Sequence, residues 1–374
     1  MSRFLVLFFF IAGLNAQSSI VSGFISDSSS GEALIGANVI IQETGQGMAT
    51  DINGYYIIQD IVPGNYNLMV SYVGFSLSKK TLTISEGESI KLNISLAEEV
   101  VELSQIEVSA EQLQRKVNIQ PSKINLSPRM MKAAPALAEP DLFRTIQALP
   151  GVLTTSEFST GLVIRGGNTD QNLILLDGVT VYNPSHLGGI FSNFIVDGVK
   201  EAELIKGAYN AEYGGRLSAV LNIISREGNQ KKFEGKANLS LLSAQATIEG
   251  PFYKGAWVFS GRRTYFDKIF QNVPTIPPYY FYDIQSHIYS DLSPRDRLSL
   301  SFYNGVDDLL FDTFGLAGRW GNRTVSGQYR RVFSEKLIGN FLFANSLFFT
   351  EFGLGGSNGL NSDNQIDDAT VAAN

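Results

Sequence analysis

Short apolar runs alternate with turn residues along most of the chain, and the period of the alternation changes from region to region. From Ser19 to Leu96 the runs are β-type and closely spaced, at residues 20–25, 37–41, 55–58, 66–72, 80–84 and 90–96. Turn clusters such as Asp51-Ile52-Asn53-Gly54 and Pro63-Gly64-Asn65 separate them. Short strands at this spacing predict a small β-sandwich. From Ala97 to Pro140 the period fades, and Glu, Gln, Ser, Met and Pro gather, with prolines at positions 121, 128, 135 and 140. That composition predicts a linker or an irregular extended segment. Inside it, residues 101–112 (VELSQIEVSAEQ) alternate as a strand. It is either the last strand of the sandwich or a strand free to add to another protein's sheet edge.

After Pro140 the spacing turns helical over residues 141–149, with Asp141 as N-cap and Pro150-Gly151 as the stop. Next comes GLVIRGGNTDQNLILLDGVTVYN, residues 161–183. The strand-like Leu162-Val163-Ile164 meets a glycine turn, and a second run, Leu173 to Leu176, ends in Asp177-Gly178, a hairpin signal between apolar runs. A glycine turn after a strand also suggests a phosphate cradle. Arg165-Gly166-Gly167-Asn168 lacks both the G-x-G-x-x-G spacing and the lysine of a P-loop, which favours the plain turn and hairpin.

Beyond Gly228 the period becomes two. Leu298, Leu300 and Phe302 alternate with Ser299, Ser301 and Tyr303; Ala237, Leu239 and Leu241 alternate with Asn238 and Ser240; Leu337, Phe341, Phe343, Leu347 and Phe349 share one parity. Short turns stand at Ser293-Pro294-Arg295-Asp296 and Ser334-Glu335, and aromatics gather in PPYYFYDI, residues 277–284. Strands with one apolar and one polar face, bounded by aromatics, predict the wall of a membrane β-barrel, with about six strands legible.

Composition narrows the compartment and the chemistry. Arg3, the apolar run from Phe4 to Leu14 and the small Ala16 read as a secretory signal peptide, residues 1–16. No later stretch offers the apolar length of a spanning helix. With 0 Cys there is no disulfide framework, thiolate metal site or lipidated cysteine, and 2 His, His186 and His287, leave little for a zinc enzyme. No metal site, cofactor or catalytic group is expected. A net charge of −7 argues against nucleic-acid binding.

Two resemblances rest on these residues. GFISDSSSGEALIGANVIIQETGQGMATDINGYYIIQDIVPGNYNLMVSYVGF resembles the carboxypeptidase-regulatory-like domain in its Gly-Ala-x-Val strand, Thr-Asp-x-x-Gly-x-Tyr hairpin and Pro-Gly-x-Tyr turn. From LPGV onward the chain resembles the plug domain of TonB-dependent outer-membrane receptors. It shows IRGG at 164–167, LILLDGVTVYN at 173–183, VKEAELIKGAYNAEYGG at 199–215 and SAVLNIISREG at 218–228. EGPFYKGAWVFSGRRTYFD, residues 249–267, is similar to that family's first barrel turn and strand. The expected fold is mainly β: signal peptide 1–16, β-sandwich 17–97, TonB-box segment and linker 98–139, α/β plug 140–228 and a partial antiparallel transmembrane barrel 229–374.

The resemblance implies an outer-membrane importer rather than an enzyme, with the N-terminal domain in the periplasm. TonB and its inner-membrane proton-driven complex would grip Leu103-Ser104-Gln105-Ile106-Glu107-Val108-Ser109. Further implied partners are outer-membrane lipid, a siderophore, cobalamin, peptide or oligosaccharide ligand, and a surface lipoprotein. FRTIQALPGV replaces the Gly-Arg-Val-Ala-Gly-Val type sequence of the glycan-importing branch, which weighs against a glycan. A sandwich ahead of the TonB box is typical of Bacteroidetes receptors. Arg165, Gly166, Gly167 and Arg216 would lie at the plug–barrel contact, the arginines either buried against wall carboxylates or left as exposed cations. Tyr182, Asn183 and His186 would face the substrate, His186 otherwise being an ordinary loop histidine. The plugged transporters have 22 strands, so the chain reads as the N-terminal part of a longer receptor. The alternative function is an outer-membrane receptor that signals or adheres without import.

Overall fold

The structure is a computed structural model that describes residues 19–99, 123–134, 139–156, 159–270, 272–273, 278–311, 315–334, 337–355 and 360–373. The expected signal peptide and the Leu103 to Ser109 strand lie outside the described residues. The chain divides into two compact units, one carrying Ala33–Asn118 and the other Ile119–Asn374.

The first unit is a sandwich of two four-stranded sheets. In one, Ser19–Asp27 lies between Tyr55–Ile61 and the parallel Ser89–Lys91 and Ile94–Leu96; in the other, Gly47–Ala49, Asn38–Ile41, Gly64–Ser71 and Ser78–Ile84 follow in order. Val21, Ile25, Val39, Ile41, Tyr56, Leu68 and Val70 fill the space between them. The expected strand at 90–96 is split in two, and side chains take over the backbone bonds at the break. Tyr56 donates its hydroxyl to the Leu92 carbonyl at 2.9 Å, and the Asn93 side chain accepts from the Phe24 N–H at 3.0 Å. The Thr-Asp-x-x-Gly-x-Tyr motif has a similar local cause. Thr50 donates to the Leu34 carbonyl at 2.6 Å, and Asp51 Oδ1 accepts from the N–H groups of Asn53 and Tyr55, both at 2.8 Å.

The second unit holds an α/β layer against a long antiparallel sheet. The α/β layer has five strands in the order Val179–Thr180, Leu173–Leu176, Val220–Ser225, Val199–Ile205 and Lys123–Leu126. Helix Leu142–Gln147 starts where expected, because Asp141 Oδ1 accepts from the N–H groups of Phe143 at 2.8 Å and Arg144 at 3.1 Å. The end of the expected linker is a correction: residues 123–126 form an edge strand of this layer, and Pro128–Ala133 is a second helix. Ser127 caps that helix and Pro128 occupies its first turn, where a missing N–H costs nothing, so a proline that reads as a breaker is here a start signal.

The long sheet has eight strands: Glu234–Leu239, Ser243–Phe252, Gly255–Thr264, Tyr279–Ser293, Asp296–Phe311, Leu316–Ser334, Leu337–Leu354 and Leu360–Ala373. Each is antiparallel to the next in chain order. The alternation sorts its faces as expected. Leu300 is 52% and Phe343 60% exposed on one side, while Tyr303 is 0% exposed on the side that covers the α/β layer. The last strand is too polar to be read from its pattern. Its pairing with Leu337–Leu354 runs from Phe341 opposite Ala373 to Leu354 opposite Leu360. Among the described residues no helix is long and apolar enough to cross a membrane, which leaves strand-built spans untouched.

Candidate functional site

The α/β layer meets the wall through a loop, a hairpin and the backbone and side chains of Gly198 and residues 225–227, where Gln285 donates to the Gly198 carbonyl at 3.2 Å, Arg226 donates to Glu249 at 2.7 Å and Arg297 donates to Glu227 at 3.0 Å. The loop, residues 184–193, is closed by the short pairing of Ser185–His186 with Phe191–Ser192. Asp141 ties it to the helix it caps: Oδ1 serves the helix N-terminus and Oδ2 accepts from the Ser192 N–H at 2.7 Å. The Ser192 carbonyl faces the other way and accepts from Arg262 Nη2 of the wall at 2.7 Å. One residue thus joins helix, loop and wall.

Around that point lies a buried ionic network. Arg262 donates Nη1 to Glu139 at 2.7 Å and Nε to Asp283 at 2.9 Å. Ser243 donates its hydroxyl to the second oxygen of Glu139. Asp283 also accepts from the Tyr303 hydroxyl at 2.9 Å and meets His186 Nε2 at 2.8 Å. His186 Nδ1 meets Asp307 at 2.7 Å, and Asp307 accepts in addition from the Leu187 N–H at 3.0 Å and from the Tyr279 hydroxyl. The His186 ring stacks on Phe281 with centroids 4.1 Å apart and planes at 6°. Burial opposes a charged imidazole, but Asp283 foremost, with Asp307, outweighs it and lifts the His186 pKa to about 9.

The hairpin follows from Asp177-Gly178. Both residues have positive φ, 51° and 82°, the two-residue turn that matches strand twist. Asp177 then accepts from the Ser225 N–H at 2.8 Å and the Ser225 hydroxyl at 2.7 Å, while its carbonyl accepts from wall residue Gln328 at 2.9 Å. Next along, the Thr180 carbonyl accepts from the wall's Ser346 hydroxyl at 2.5 Å.

The expected site residues fall in three places. Arg165 is exposed, with φ 48°, in a tight turn closed by the Gly167 N–H on the Ile164 carbonyl at 2.9 Å. Of the two readings of this arginine, the exposed one describes it in this chain. Gly166 is exposed, and Gly167 is placed where a Cβ would come within 2.3 Å of the Ser218 hydroxyl, so glycine permits a close approach inside the α/β layer rather than to the wall. Arg216 is half-buried, its guanidinium carbon 6.0 Å from the Tyr182 ring centre. Tyr182, Asn183 and Arg216 share an open cleft of about 560 Å³ whose wall side carries Phe348 and Ile366, and Tyr182 donates to Asp368 at 3.2 Å. His186 does not join them. It is fully buried, a second correction, because its two carboxylates pull the loop into the wall instead of leaving it open.

Arg262, Asp283, Asp307 and Glu139 were absent from the expected contact. The signal was present in the wall's own period. Arg262 has the parity of Ser260 and Thr264, and Asp283 that of Phe281 and Gln285, so ionic side chains stand on the covered face of strands that otherwise bury neutral groups there. Among the described residues no cluster of His, Asp and Glu is set to hold a metal, and both nitrogens of His186 are engaged by carboxylates.

Comparisons with known proteins agree with this architecture. Residues 21–108 match the family model of the CarboxypepD_reg-like domain, and residues 126–220 that of the TonB-dependent Receptor Plug Domain. The TonB-dependent transporter Oar of Myxococcus xanthus is 25% identical over 232 residues, 58% of this chain and 21% of that protein. A TonB-dependent receptor of Formosa agariphila is 29% identical over 249 residues, 62% of this chain and 23% of that protein. The chain therefore spans about a fifth of the length of the curated relatives it matches. A crystal structure of the ferric enterobactin receptor of Pseudomonas aeruginosa shares the fold, with a TM-score of 0.50 at 17% identity, covering 67% of this chain and 46% of that one. The chain thus carries a CarboxypepD_reg-like domain followed by a TonB-dependent receptor plug domain, and it is similar to proteins of the TonB-dependent transporter and receptor family of the outer membrane.

Proposed function

We propose that the chain supplies the regulatory-like domain, the plug and the first wall strands of an outer-membrane importer driven by TonB. The observation that carries this reading is how the plug is held. Its contact with the wall is rich in discrete polar ties, the Arg262–Glu139–Asp283 cluster, the Arg226–Glu249 and Arg297–Glu227 pairs and the Asp177 and Thr180 carbonyls, beside apolar contacts of Phe194 with Tyr303 and of Phe191 with Phe281. Polar contacts of this kind exchange for water when a plug shifts, whereas a continuous apolar interface would resist being pulled apart. The ligand is a scarce compound taken up outside, of siderophore, cobalamin, peptide or oligosaccharide kind, and Tyr182, Asn183 and Arg216 in their open cleft are the plug residues that meet it. Outer-membrane lipid surrounds the apolar outer face of the wall, and the sandwich stands in the periplasm. A surface lipoprotein would assist capture.

Energy enters through Leu103 to Ser109, within the alternating sequence of residues 101–112, by edge-to-edge pairing with TonB. A proline at Ile106 removes one N–H from that pairing and fixes φ. In the full receptor, Ile106→Pro is expected to abolish energy-dependent uptake and leave surface binding intact. Wild-type uptake in this variant would remove the TonB assignment. Binding with no uptake in the wild type, under every nutrient limitation tried, would instead mark a receptor that signals or adheres.

A further inference from the structure

The loop of residues 184–193 holds the plug's only histidine, and the geometry around that ring sets its protonation. Each nitrogen faces a carboxylate oxygen, Nδ1 that of Asp307 at 2.7 Å and Nε2 that of Asp283 at 2.8 Å. A neutral imidazole has one N–H and would turn a bare lone pair toward one of them. The proton does not sit on the carboxylates, because their other neighbours all donate. Asp283 accepts from Arg262 Nε at 2.9 Å and the Tyr303 hydroxyl at 2.9 Å, and Asp307 from the Leu187 N–H at 3.0 Å and the Tyr279 hydroxyl. The charged groups reaching the ring are therefore Asp283 from strand Tyr279–Ser293, Asp307 from Asp296–Phe311, Arg262 from Gly255–Thr264 behind Asp283, and Glu139 behind Arg262. Three carboxylates stand against one guanidinium, and the imidazolium is the second cation.

We propose that residues 184–193 form a proton-held latch: the loop docks on the wall with His186 as a doubly protonated imidazolium, and lifting it at neutral to alkaline pH releases one proton. His186 is a positioning residue in this device. The latch belongs to the loop and the wall alone and stands whether or not the receptor imports. Docking holds the proton up to about pH 9, whereas the solvated ring loses it near the ordinary value of 6.5. The docked state therefore has its full advantage below pH 6.5 and loses it as pH rises toward 9. Within that window the ratio of lifted to docked loop rises about tenfold per pH unit.

Hydrogen exchange followed by mass spectrometry on the full receptor, with rates corrected for intrinsic chemistry, reads this ratio from peptides covering residues 184–193. The opening constant is expected to climb about tenfold per pH unit between about pH 7 and 9. It should be flat across the same range in His186→Gln, which keeps a polar side chain and removes the titration. Asp307→Asn, which removes one of the two carboxylates, should end the climb at a lower pH while leaving its start near 6.5, and serves as the reading if His186→Gln does not fold. A wild-type opening constant independent of pH, an equal climb in His186→Gln, or a window unmoved by Asp307→Asn would each overturn the latch.

Discussion

Arg262 and Arg165 carry the same charge and differ in everything around it. Arg262 is 4% exposed between Glu139 and Asp283, and Arg165 is exposed at a turn. Removing Arg262 strands two buried carboxylates, which costs on the order of 3–5 kcal/mol. Removing Arg165 breaks only exposed contacts, which should cost less, within about 1 kcal/mol. In the full receptor, Arg262→Ala is therefore expected to speed protease cleavage of the plug and Arg165→Ala to leave it near wild type; equal rates in the two variants would contradict this assignment. Arg262→Lys should not restore protection, because a single ammonium cannot serve Glu139, Asp283 and the Ser192 carbonyl together. A second residue-scale prediction concerns Glu201 on the plug strand Val199–Ile205. Burial raises its pKa to about 7 against the pull of Lys200 and Lys123. A raised carboxyl stabilises the fold in its protonated form, so its contribution is complete below pH 4.5 and is lost as pH rises through 7. Glu201→Gln should then stabilise the plug at pH 8 by on the order of 3 kcal/mol and change little at pH 4.5. Exchange protection of the Val199–Ile205 strand reads this directly, and an unchanged protection at pH 8 would show that the carboxylate has a partner there.

At the scale of elements, the Asp177-Gly178 hairpin is where sequence and structure coincide most fully. Gly178 has φ 82°, and a Cβ there would lie 3.2 Å from the wall's Leu342. Gly178→Val should therefore lower plug stability by more than about 1 kcal/mol, through backbone strain and crowding together. Urea-induced loss of plug protection in the full receptor measures it, and a midpoint equal to wild type would show that the turn relaxes without cost. The same local chemistry made the Asp141 cap, the sandwich motifs and the two-faced wall strands legible, since each is decided within a few residues. Strand Lys123–Leu126 and helix Pro128–Ala133 were not, because a Ser-Pro pair marks a helix start as readily as a loop. Strand Leu360–Ala373 was not either: only Leu360, Ile366 and Val371 are large and apolar, and its neighbour's register makes the strand. Of the expected contact residues, Arg165 and Gly166 are exposed, Gly167 faces Ser218 within the plug, and Arg216 lies beside Tyr182. Charges cross the contact both ways, Arg262 of the wall on Glu139 and Arg226 of the plug on Glu249, and the pairing of Arg262 with Glu139 and of Asp307 with His186 spans more than 100 residues, which no local pattern encodes.

For the whole molecule, the account turns on one motion. The plug sits against the wall largely through ties that water can replace, and in the import proposed above a pull on residues N-terminal to the plug would break them in turn. The chain has 0 Cys, so a pair of thiols can be placed without background from this part of the receptor. Thr180 and Ser346 face each other where the serine hydroxyl meets the threonine carbonyl at 2.5 Å. The most direct measurement is ligand uptake and surface binding by cells carrying Thr180→Cys with Ser346→Cys, before and after a short reducible thiol crosslinker joins plug to wall. The account predicts normal binding throughout, uptake lost on crosslinking and regained on reduction. Undiminished uptake through a quantitatively crosslinked receptor would contradict it.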